Sequence, residues 1–563
     1  MGQIPNPDEG LQQKTNDSLE EPQISNRWIP MDVGRKQTDI ATWAQDPDFR
    51  FDDIYNFITY KDWLHRAYLS VKTNAGANTA GIDGETAEDF ADNLDENLKD
   101  ISQQLDSESY DPDPTRRVYI PKGNGEKRPL SIPTVRDRIV QESLRMLLEP
   151  VYESDFSQYS FGFRPGRSTH DAIKIVRSCF SRTAGYMPWI IDADISGFFE
   201  NLSHMILEQT LQDRITQEKV RNLIWKFLKA GVMDGDRMMK SVAGTPQGGI
   251  LSPLLANVYL DKLDQWVKQW TDLSHQAGKR RRRSGKGNWT YVRYADDFLL
   301  LTNGTRKKAE AVKGRVEGYI EDELKLSLNE EKTGLLHAED EGVNFLGYHL
   351  EARHPGDGGG GVSEIPQEAV QDVKQSIRRL TEGDTDLSAR RRFRGLNYVL
   401  RGWANYFKYA TRTSQVFGKV QHFAWKRLTC WLAEKYRCSV GHLCANVLDG
   451  LSPISINGVQ MVDIRTMGTE YRESPLQRDH PYLDERVTRS EPTSLNQFFE
   501  DEYMPGHEDL KWKALEREDW TCQECGKDLG WETAELHHLE YSGKMEDVES
   551  LCVPCHKKKD PER

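Results

Sequence analysis

Two adjacent acidic residues, Asp296 and Asp297, interrupt a largely apolar run of β-branched, aromatic and aliphatic residues between Thr290 and Leu301. The pattern predicts a strand, a tight turn and a second strand, with both carboxylates at the turn. Neighbouring carboxylates in an apolar setting lose solvation and repel each other, so the pair needs compensating cations. An ordinary acidic turn is the alternative for this pair alone. The turn is therefore a candidate site for divalent metal.

An acidic pair of the same kind occurs in the strand-like run Trp189–Ile195, where Asp192 and Asp194 alternate with apolar residues. Residues two apart in a strand point to the same face, so their spacing does not choose between them. Three carboxylates from two neighbouring strands can bind two metal ions about 3.5–4 Å apart, which stabilises the attacking and leaving oxygens of phosphoryl transfer. Together the two runs indicate the palm of a nucleotide polymerase.

The charge of the chain bears on this interpretation, because a polymerase must bind phosphates. The net charge is −14, but residues 1–110 hold 9 Lys and Arg against 22 Asp and Glu, so most of the excess lies there. Basic runs stand out in the remainder, and each is either a solvated surface or a phosphate-binding one. These runs are Lys279–Arg283, Arg378–Arg379, Arg390–Arg394 and Lys557–Lys559.

Length and composition limit the other classes of protein. A chain of 563 residues predicts several domains. It has no apolar run near the ~18 residues that span a membrane and no apolar signal-peptide core, so we expect a cytoplasmic protein without a membrane partner. Eight cysteines are too few for a disulfide scaffold. Four of them form two Cys-x-x-Cys pairs separated by 26 residues, which predicts one tetrahedral zinc site at Cys522, Cys525, Cys552 and Cys555.

Two motifs resemble those of reverse transcriptases. Tyr294–Asp297 reads Tyr-Ala-Asp-Asp, like the catalytic box of that family, and the long segment Gly244–Asn257 is similar to its template- and nucleotide-positioning segment. The family places the first metal ligand just before a segment like Ile195–Phe199, which selects Asp194. The resemblance implies that Asp194 and the two aspartates of the box are catalytic and bind two Mg²⁺ ions. It also decides against the ordinary acidic turn.

The resemblance implies roles for residues around the nucleotide. A basic hairpin over residues 117–133 corresponds to the fingers and would grip the triphosphate with one Lys and one Arg. An aromatic residue would exclude a ribose 2′-hydroxyl and so favour DNA synthesis, although simple core packing is the alternative for it. A Gln would touch the incoming sugar, a Gly would let the backbone approach the base pair, and a Lys would lie near the leaving pyrophosphate. The Lys and Arg that would grip the triphosphate are Lys122 and Arg128, and the aromatic residue is Phe199. The Gln is Gln247, the Gly is Gly248, and the Lys near the pyrophosphate is Lys332.

Helical periodicity returns from residue 366 to 436, where arginines are mixed with aromatic residues. The segment around Arg401–Phe407 resembles the thumb and maturase domain of group II intron proteins. A helical bundle core explains most of the apolar and aromatic positions but not the arginines mixed with them. Cations for phosphates and rings for stacking are what RNA binding requires. The predicted RNA contacts are Arg164 and Arg167 in the fingers and Arg390, Arg391, Arg392, Arg394 and Arg401 in the helical region.

The cysteine-rich tail resembles a zinc-clamped HNH endonuclease. By that resemblance His538 is the general base that activates water, and His537 and His556 bind one catalytic divalent ion. Asp547 stands where the family has Asn, so it either binds the metal as well or weakens the site. A purely structural zinc ribbon is the alternative.

The expected fold class is a multidomain α+β protein: right-hand polymerase fingers and palm, an α-helical thumb and maturase domain, and a small zinc-bound ββα-metal HNH domain. The expected divisions are a polar arm and N-terminal extension (1–74), fingers and palm (75–355), thumb and maturase domain (362–440), a DNA-binding linker region (441–510) and the HNH domain (511–563). A glycine run at 358–361 is expected to act as a flexible hinge.

The joining of these three parts is typical of multifunctional group II intron-encoded proteins. Such a protein would bind its intron RNA and assist splicing, nick target DNA with the HNH domain, and copy the RNA with dNTPs from the new 3′ end. The implied ions are two Mg²⁺ in the palm, one Mg²⁺ in the HNH domain and one structural Zn²⁺. The alternatives are a stand-alone reverse transcriptase in repair or defence, and a non-enzymatic RNA-binding splicing chaperone.

Overall fold

The computed structural model describes residues 31–74, 76–121, 127–182, 185–235, 237–239, 244–245, 248–353, 360–383, 388–451, 453–456, 458–467 and 480–483. It also gives the backbone of two strands, at 534–538 and 548–552. No helix in this part of the chain combines the length and the apolar character that crossing a membrane requires.

Sixteen α-helices lie in the described residues. They are α1 (Val33–Ala44), α2 (Lys61–Thr73), α3 (Ala87–Ala91), α4 (Leu94–Asp106), α5 (Val135–Tyr152), α6 (Thr169–Cys179), α7 (Phe198–Asn201), α8 (His204–Gln212), α9 (Glu218–Lys229), α10 (Ser252–Thr271), α11 (His275–Arg283), α12 (Arg306–Asp322), α13 (Gln367–Thr381), α14 (Ala389–Phe407), α15 (Thr413–Lys435) and α16 (Val440–Asn446).

The same residues form sixteen strands. They are β1 (Thr115–Pro121), β2 (Lys127–Ile132), β3 (Trp189–Asp194), β4 (Val232–Asp234), β5 (Arg237–Met239), β6 (Trp289–Tyr294), β7 (Asp297–Thr302), β8 (Gly334–His337), β9 (Val343–Phe345), β10 (Tyr348–Arg353), β11 (Gly360–Glu364), β12 (Gly450–Leu451), β13 (Ile454–Ile456), β14 (Val459–Gln460), β15 (Ala534–His538) and β16 (Val548–Cys552).

The central sheet is antiparallel with the order β6-β7-β3-β8. Its two faces belong to two different hydrophobic cores. Ile191 and Leu300 pack into a core with α5, α10 and α12, whereas Ile190 and Leu299 pack into one that contains α6 and the later helices. Burial on both faces explains why its strands are almost continuously apolar. The acidic residues at the end of these strands are therefore the exception that needs explaining.

The hairpin predicted at residues 117–133 is present as β1 and β2, paired antiparallel from Arg116 opposite Ile132 to Pro121 opposite Lys127. A second sheet forms when β4 adds to β1 in parallel and β5 pairs with β4. The tip of the hairpin, residues 122–126, lies outside the described residues.

The helices before residue 74 are not a separate unit. Helices α1 and α2 pack on the long buried helix α5, and the indole N–H of Trp63 donates to the carbonyl of Ser143 at 3.1 Å. Trp63 is fully buried in the same core as the palm helices. The division expected at residue 74 therefore falls within one hydrophobic core, because the aromatic residues of α2 complete the packing of α5.

The glycine run expected to be a hinge is instead partly a strand. Gly360 and Gly361 begin β11, which pairs antiparallel with β10. The guanidinium of Arg177 donates from Nε to the carbonyl of Gly361 at 2.9 Å, and a Cβ on Gly361 would lie 2.1 Å from the carbonyl oxygen of Arg177. Glycine is required there by close packing against α6, not by flexibility.

The later helices are joined to the palm through Tyr406 of α14. Its hydroxyl donates to the carbonyl of Leu346, at the tip of the β9–β10 hairpin, at 2.6 Å. Its own carbonyl oxygen lies 2.6 Å from Nε2 of His170 and accepts a hydrogen bond from the Tyr348 hydroxyl. The aromatic rings of His170, Tyr348 and Tyr406 pack together at this joint.

The helical unit continues beyond residue 440. Asn397 of α14 donates to the carbonyl of Gln460 at 2.8 Å and accepts from the N–H of Val462 at 2.7 Å. Ile454, Ile456 and Ile464 are buried in the same core as α14 and α15. The small sheet β12-β13-β14 and the residues up to 467 therefore belong to the helical unit, and the linker expected from residue 441 does not begin there.

A short segment further along, His480–Leu483, lies against α5. The hydroxyl of Tyr482 donates to the carboxylate of Glu149, and Nε2 of His480 lies 3.2 Å from the hydroxyl of Ser154. Burial, together with the charge of Arg164, lowers the pKa of His480 to about 4, so the imidazole is neutral at pH 7. This contact ties the chain after the helical unit back to the first core.

An ion pair between Arg293 and Asp264 lies at the centre of the molecule, with both side chains fully buried. The guanidinium donates to the carboxylate from Nε at 2.8 Å and from Nη2 at 2.6 Å, and its Nη1 donates to Oδ1 of Asn257 at 2.9 Å. The hydroxyl of Tyr291 donates to the same carboxylate at 2.8 Å. This network joins α10 to β6.

Replacing Arg293 by Met should lower the free energy of unfolding by about 3–5 kcal/mol, because the carboxylate of Asp264 is left buried without its partner. Urea denaturation followed by circular dichroism measures the change. Arg306→Met is the control: it breaks the exposed pair with Glu310 and should cost less than about 1 kcal/mol. A similar small cost for both variants would show that the buried pair does not stabilise the palm.

Candidate active site

The turn between β6 and β7 contains only two residues, Ala295 and Asp296, since Tyr294 pairs with Asp297. Ala295 has a φ of 58°, which is uncommon for a residue with a side chain. A positive φ at the first of two loop residues is the pattern of a type II′ turn, which prefers glycine there. The turn is therefore strained, by an amount on the order of 1–3 kcal/mol.

The surrounding structure holds this turn in place. Nη1 of Arg293 donates to the carbonyl of Ala295 at 3.0 Å. Gly162 lies against the turn so closely that a Cβ on it would be 2.5 Å from the nitrogen of Ala295. The amide of Asn257 donates to the carbonyl of Gly162 at 2.8 Å and accepts from Arg293. Asn257 thus connects the Gly244–Asn257 motif to the acidic turn.

Strand β3 brings the upstream acids to this turn. The register places Asp194 directly opposite Asp297, and the N–H of Ile195 lies 3.4 Å from the carbonyl oxygen of Asp296. Asp192 is one pair further along the same face, opposite Leu299. The structure therefore gathers Asp194, Asp296 and Asp297 as the sequence predicts, and adds Asp192 beside them. Their role as metal ligands stays a prediction.

Negative charge dominates the electrostatics of the site. Burial, followed by repulsion from Asp192, Asp194 and Asp296, raises the pKa of Asp297 to about 7. Burial and the charge of Asp194 likewise raise the pKa of Asp192 to about 6. Burial also raises the pKa of Asp296, although the charges of nearby cations oppose the rise. A bound cation would favour the ionised forms of these three carboxyl groups.

One cation of the chain already faces these acids. Nζ of Lys332 donates to Oδ2 of Asp194 at 2.9 Å. That hydrogen bond, with the charges of the other aspartates, raises the pKa of Lys332, so the side chain stays protonated. The lysine follows a turn that is itself fixed to β3, because the N–H of Asn329 donates to the carbonyl of Asp194 at 2.8 Å.

The donor set suits Mg²⁺, which prefers carboxylate oxygens. In the described part of the chain no three His, Cys, Asp or Glu side chains are already arranged around one point to hold an ion. At this site the ammonium of Lys332 occupies an oxygen of Asp194 that a metal would use. A metal ion bound at that oxygen would therefore compete with the lysine for it.

Two predicted nucleotide-binding residues, Arg128 and Gly248, lie at or beside strand β2 of the fingers. Arg128 of β2 is exposed, and its charge lowers the pKa of Asp296 against the effect of burial. Gly248 has a φ of 110°, and a Cβ on it would be 2.5 Å from the carbonyl oxygen of Ser131 in β2. Only glycine allows this approach of the loop to the fingers. Lys122 and Gln247 lie outside the described residues.

Phe199 lies in α7, shortly after Asp194, and is half-buried. Its ring packs edge-on against Phe198 and, at 6.4 Å between centroids, against Phe163. Its carbonyl accepts from the N–H of Thr245 at 2.7 Å, which places the Gly244 loop beside it. Exclusion of a ribose hydroxyl by Phe199 stays a prediction. The exposed ring of Phe163, on a residue with a φ of 59°, is a neighbour that the sequence did not single out.

The predicted RNA contact by Arg164 is not compatible with its position. Its side chain is only 2% exposed, pairs with Glu153 at 2.9 Å, and donates to the carbonyls of Ser157 and Ser160. Arg392 is also turned inward, with its guanidinium 4.8 Å from the ring centroid of Trp431. Both arginines stabilise the interior, so neither presents its charge to RNA phosphates.

The remaining predicted RNA-binding arginines are at least partly accessible. Arg167 is half-buried over Phe161 and donates to the carbonyl of Gln158 at 2.8 Å. Of those in α14, Arg391 and Arg401 are exposed, whereas Arg390 and Arg394 are half-buried. Their contact with RNA stays a prediction.

The C-terminal tail contributes one hairpin to the described residues. Strands β15 and β16 pair antiparallel, with His537 opposite Glu549, His538 opposite Val548 and Ala534 opposite Cys552. The other predicted metal ligands, Cys522, Cys525, Asp547, Cys555 and His556, lie outside the described residues.

Comparison with known families gives two matches in order along the chain. Residues 120–350 match the reverse transcriptase (RNA-dependent DNA polymerase) family, and residues 370–443 match the group II intron, maturase-specific domain. The first range covers β2 to β9, the start of β10 and the acidic turn, and the second covers α14, α15 and most of α13 and α16.

Individual proteins agree with these matches. Protein YkfC of Escherichia coli is 38% identical over 372 residues, which are 62% of this chain and 97% of YkfC. The group II intron-encoded protein LtrA of Lactococcus lactis is 36% identical over 353 residues, 54% of this chain and 58% of LtrA. A structure of telomerase from Candida albicans with a telomeric RNA fragment aligns over 59% of this chain and 65% of that chain, at 14% identity and a TM-score of 0.32, too loosely to carry an argument.

Nearly the whole of one relative is therefore covered at 38% identity, and both domain matches fall in order. The chain belongs to the family of reverse transcriptases that carry a group II intron maturase-specific domain.

Proposed function

We propose that this protein is an RNA-directed DNA polymerase that serves a group II intron. The observation that carries the proposal is the register of the central sheet, which sets Asp194 opposite Asp297 at a strained, buttressed turn. Strained backbone at a cluster of buried acids is typical of a catalytic site.

In this proposal Asp194, Asp296 and Asp297 hold two Mg²⁺ ions. The ions, when bound, would neutralise charge on the attacking and leaving oxygens of phosphoryl transfer. Arg128 is an exposed residue of the fingers whose charge acts on Asp296, and it would bind the phosphates of the incoming dNTP. Lys332 is protonated and within reach of the same site, so it can donate a proton or a hydrogen bond to the leaving pyrophosphate.

Asp296→Asn tests this assignment, because it keeps the size of the side chain and removes its charge. DNA synthesis on an RNA template with an annealed DNA primer should fall by about 10³-fold. Asp322→Asn, which removes the same charge from an exposed position on α12, should leave synthesis unchanged. Primer extension with purified protein measures both variants.

Retention of more than about a tenth of the wild-type rate by Asp296→Asn would contradict the catalytic role of this turn. Binding of the folded intron RNA should remain within about twofold of wild type, since the turn carries none of the arginines assigned to RNA. Equal loss of synthesis and of RNA binding would show that the two functions do not use separate sites.

We further propose that the partner RNA is a group II intron, that the protein assists its splicing, and that it copies the intron into target DNA. The match of residues 370–443 to the maturase-specific domain supports this partner. The exposed arginines 391 and 401 of α14 supply charge for phosphates on that unit. A stand-alone polymerase would have no use for a maturase-specific domain.

The C-terminal tail is proposed to be an HNH endonuclease that nicks the second DNA strand, with His538 as general base. The β15–β16 hairpin, which brings the backbone of His537 and His538 next to a strand ending in Cys552, supports the proposal. A tetrahedral Zn²⁺ bound by Cys522, Cys525, Cys552 and Cys555 would hold the tail together. His537, His556 and Asp547 would hold its catalytic divalent ion.

His538→Ala should stop nicking of plasmid DNA that carries the insertion site, assayed with the intron ribonucleoprotein, while primer extension continues at the wild-type rate. His442→Ala, which replaces an exposed histidine of α16, is the control and should change neither activity.

Zinc analysis should find about one ion per chain in the wild type and none after Cys522→Ser and Cys525→Ser. Unchanged nicking by His538→Ala would remove the assigned base, and zinc retained without both cysteines would remove the proposed zinc site.

A further inference from the structure

Seven exposed cations from two segments of the chain lie at one end of the palm sheet, which we call the basic edge. Five come from α11 and the loop after it, and two come from the start of α12. They are Lys279, Arg280, Arg282, Arg283, Lys286, Lys307 and Lys308. Close contact between Gly287 and Gly304, where an added Cβ would meet backbone at 2.3 Å, joins the two segments.

The cations of the basic edge differ from their neighbours in having no acidic partner. Within the described residues none of the seven forms an ion pair with a carboxylate, whereas Arg306 and Lys313 of α12 pair with Glu310 and Glu317. Like charges three and four residues apart on α11 repel each other, at a cost of a few tenths of a kcal/mol per pair. Bound anions would relieve this repulsion.

Helix α11 is fixed to the sheet. The hydroxyl of Ser274 caps its first turn by accepting from the N–H of Ala277. Gly278 of the helix packs against the side chain of Asn288, whose N–H donates to Oδ1 of Asn303 at 2.7 Å. The hydroxyl of Thr302 donates to the carbonyl of Asn288 at 2.8 Å. The charges are thus presented from a rigid base at the ends of β6 and β7.

The basic edge is separate from the polymerase site. Strands β6 and β7 run from this edge to the acidic turn, and each contains six residues. At about 3.4 Å per residue, the edge lies roughly 17–20 Å from the turn along the sheet. Phosphates bound at the edge are therefore not those being joined at Asp296 and Asp297.

The chemistry of the edge selects a nucleic acid. Helix α11 presents guanidinium and ammonium groups and has Ala277 as its only apolar residue apart from glycine, so it offers no anchor for a protein or a lipid surface. Guanidinium groups bind phosphate through paired hydrogen bonds. The chain as a whole carries a net charge of −14, so a polyanion must be held by local positive surfaces such as this one.

We propose that the basic edge binds the phosphate backbone of the folded intron RNA, as a docking surface distinct from the template–primer cleft. The choice of RNA rests on the proposed function, because the same chain carries a maturase-specific domain. The surface would hold the structured RNA by its backbone while the cleft holds the strand being copied.

The test uses the full-length protein with the combined substitutions Lys279→Ser, Arg280→Ser and Arg283→Ser. The probe is a self-folded group II intron transcript, and filter binding over a range of salt concentrations gives the dissociation constant. Three lost phosphate contacts should reduce the slope of log affinity against log salt by about 2–3. At 0.1–0.15 M salt the affinity should fall by roughly 10–100-fold. Primer extension on a short RNA template with a DNA primer should be unchanged.

The matched control removes three cations from α9, by Lys219→Ser, Lys226→Ser and Lys229→Ser. All three make contacts within the protein. Lys219 pairs with the carboxylate of Glu108, Lys226 donates to the carbonyls of Glu108 and Tyr110, and Lys229 lies over the ring of Trp225. The change in net charge is the same, so an unchanged salt slope in this control assigns the effect to the basic edge. Circular dichroism and thermal unfolding confirm that both variants are folded.

Three results would overturn the proposal. An unchanged salt slope in the α11 variant would make the edge a solvated surface. An equal loss of affinity for duplex DNA of the same length would remove the assignment to RNA. A matching loss of primer extension would place α11 in the polymerase cleft. Failure of the proposed function is distinguishable, because a wild-type protein without polymerase activity could still show the change in salt slope.

Discussion

The buried guanidinium of Arg293 holds together the parts on which the rest of this structure depends. It pairs with the carboxylate of Asp264 and donates hydrogen bonds to Oδ1 of Asn257 and to the carbonyl of Ala295. A turn with an alanine at positive φ does not persist without such support. The same network reaches α10, so the Gly244–Asn257 segment and the Tyr294–Asp297 box are linked through hydrogen bonds of Arg293. Loss of the network would disturb the fold and the acidic turn together.

The acidic turn shows how a stable scaffold can hold an unfavourable group. The palm sheet is covered on both faces, and this burial drives the folding of its strands. Their ends carry carboxylates whose burial and mutual repulsion raise the pKa of Asp297 to about 7. Lys332 and Arg128 compensate part of that charge from within the chain. The negative charge that they leave uncompensated is the electrostatic basis for expecting divalent metal.

Much of the palm could be predicted from sequence, because its information is local. Alternating and continuous apolar runs define β3, β6 and β7, and the acids stand out against them. Asp192 shares the spacing of Asp194, so its presence at the site could have been inferred from the strand period alone. The turn geometry at Ala295 could not, since the positive φ of this alanine is held by Gly162, from a distant part of the chain, and by the buried guanidinium of Arg293.

Long-range packing explains where the structure departs from the sequence-based predictions. Arg164 and Arg392 look like basic surface residues, but partners such as Glu153 and Trp431 draw them inside. The glycines at 360 and 361 resemble a hinge, yet both begin strand β11, and Gly361 must be small because α6 lies against it. The docking of His480 and Tyr482 on α5 joins residues more than 300 positions apart, which no local pattern indicates.

Asp194, Asp296 and Asp297 are proposed to bind two divalent ions jointly. Anomalous scattering from crystals of the full-length protein grown with Mn²⁺, a template–primer and a non-reactive dNTP analogue would locate such ions. We expect two manganese peaks about 3.5–4 Å apart, in contact with these three carboxylates, and an ammonium of Lys332 that has left Asp194. Absence of manganese among the three aspartates, with Lys332 still bound to Asp194, would rule out this assignment.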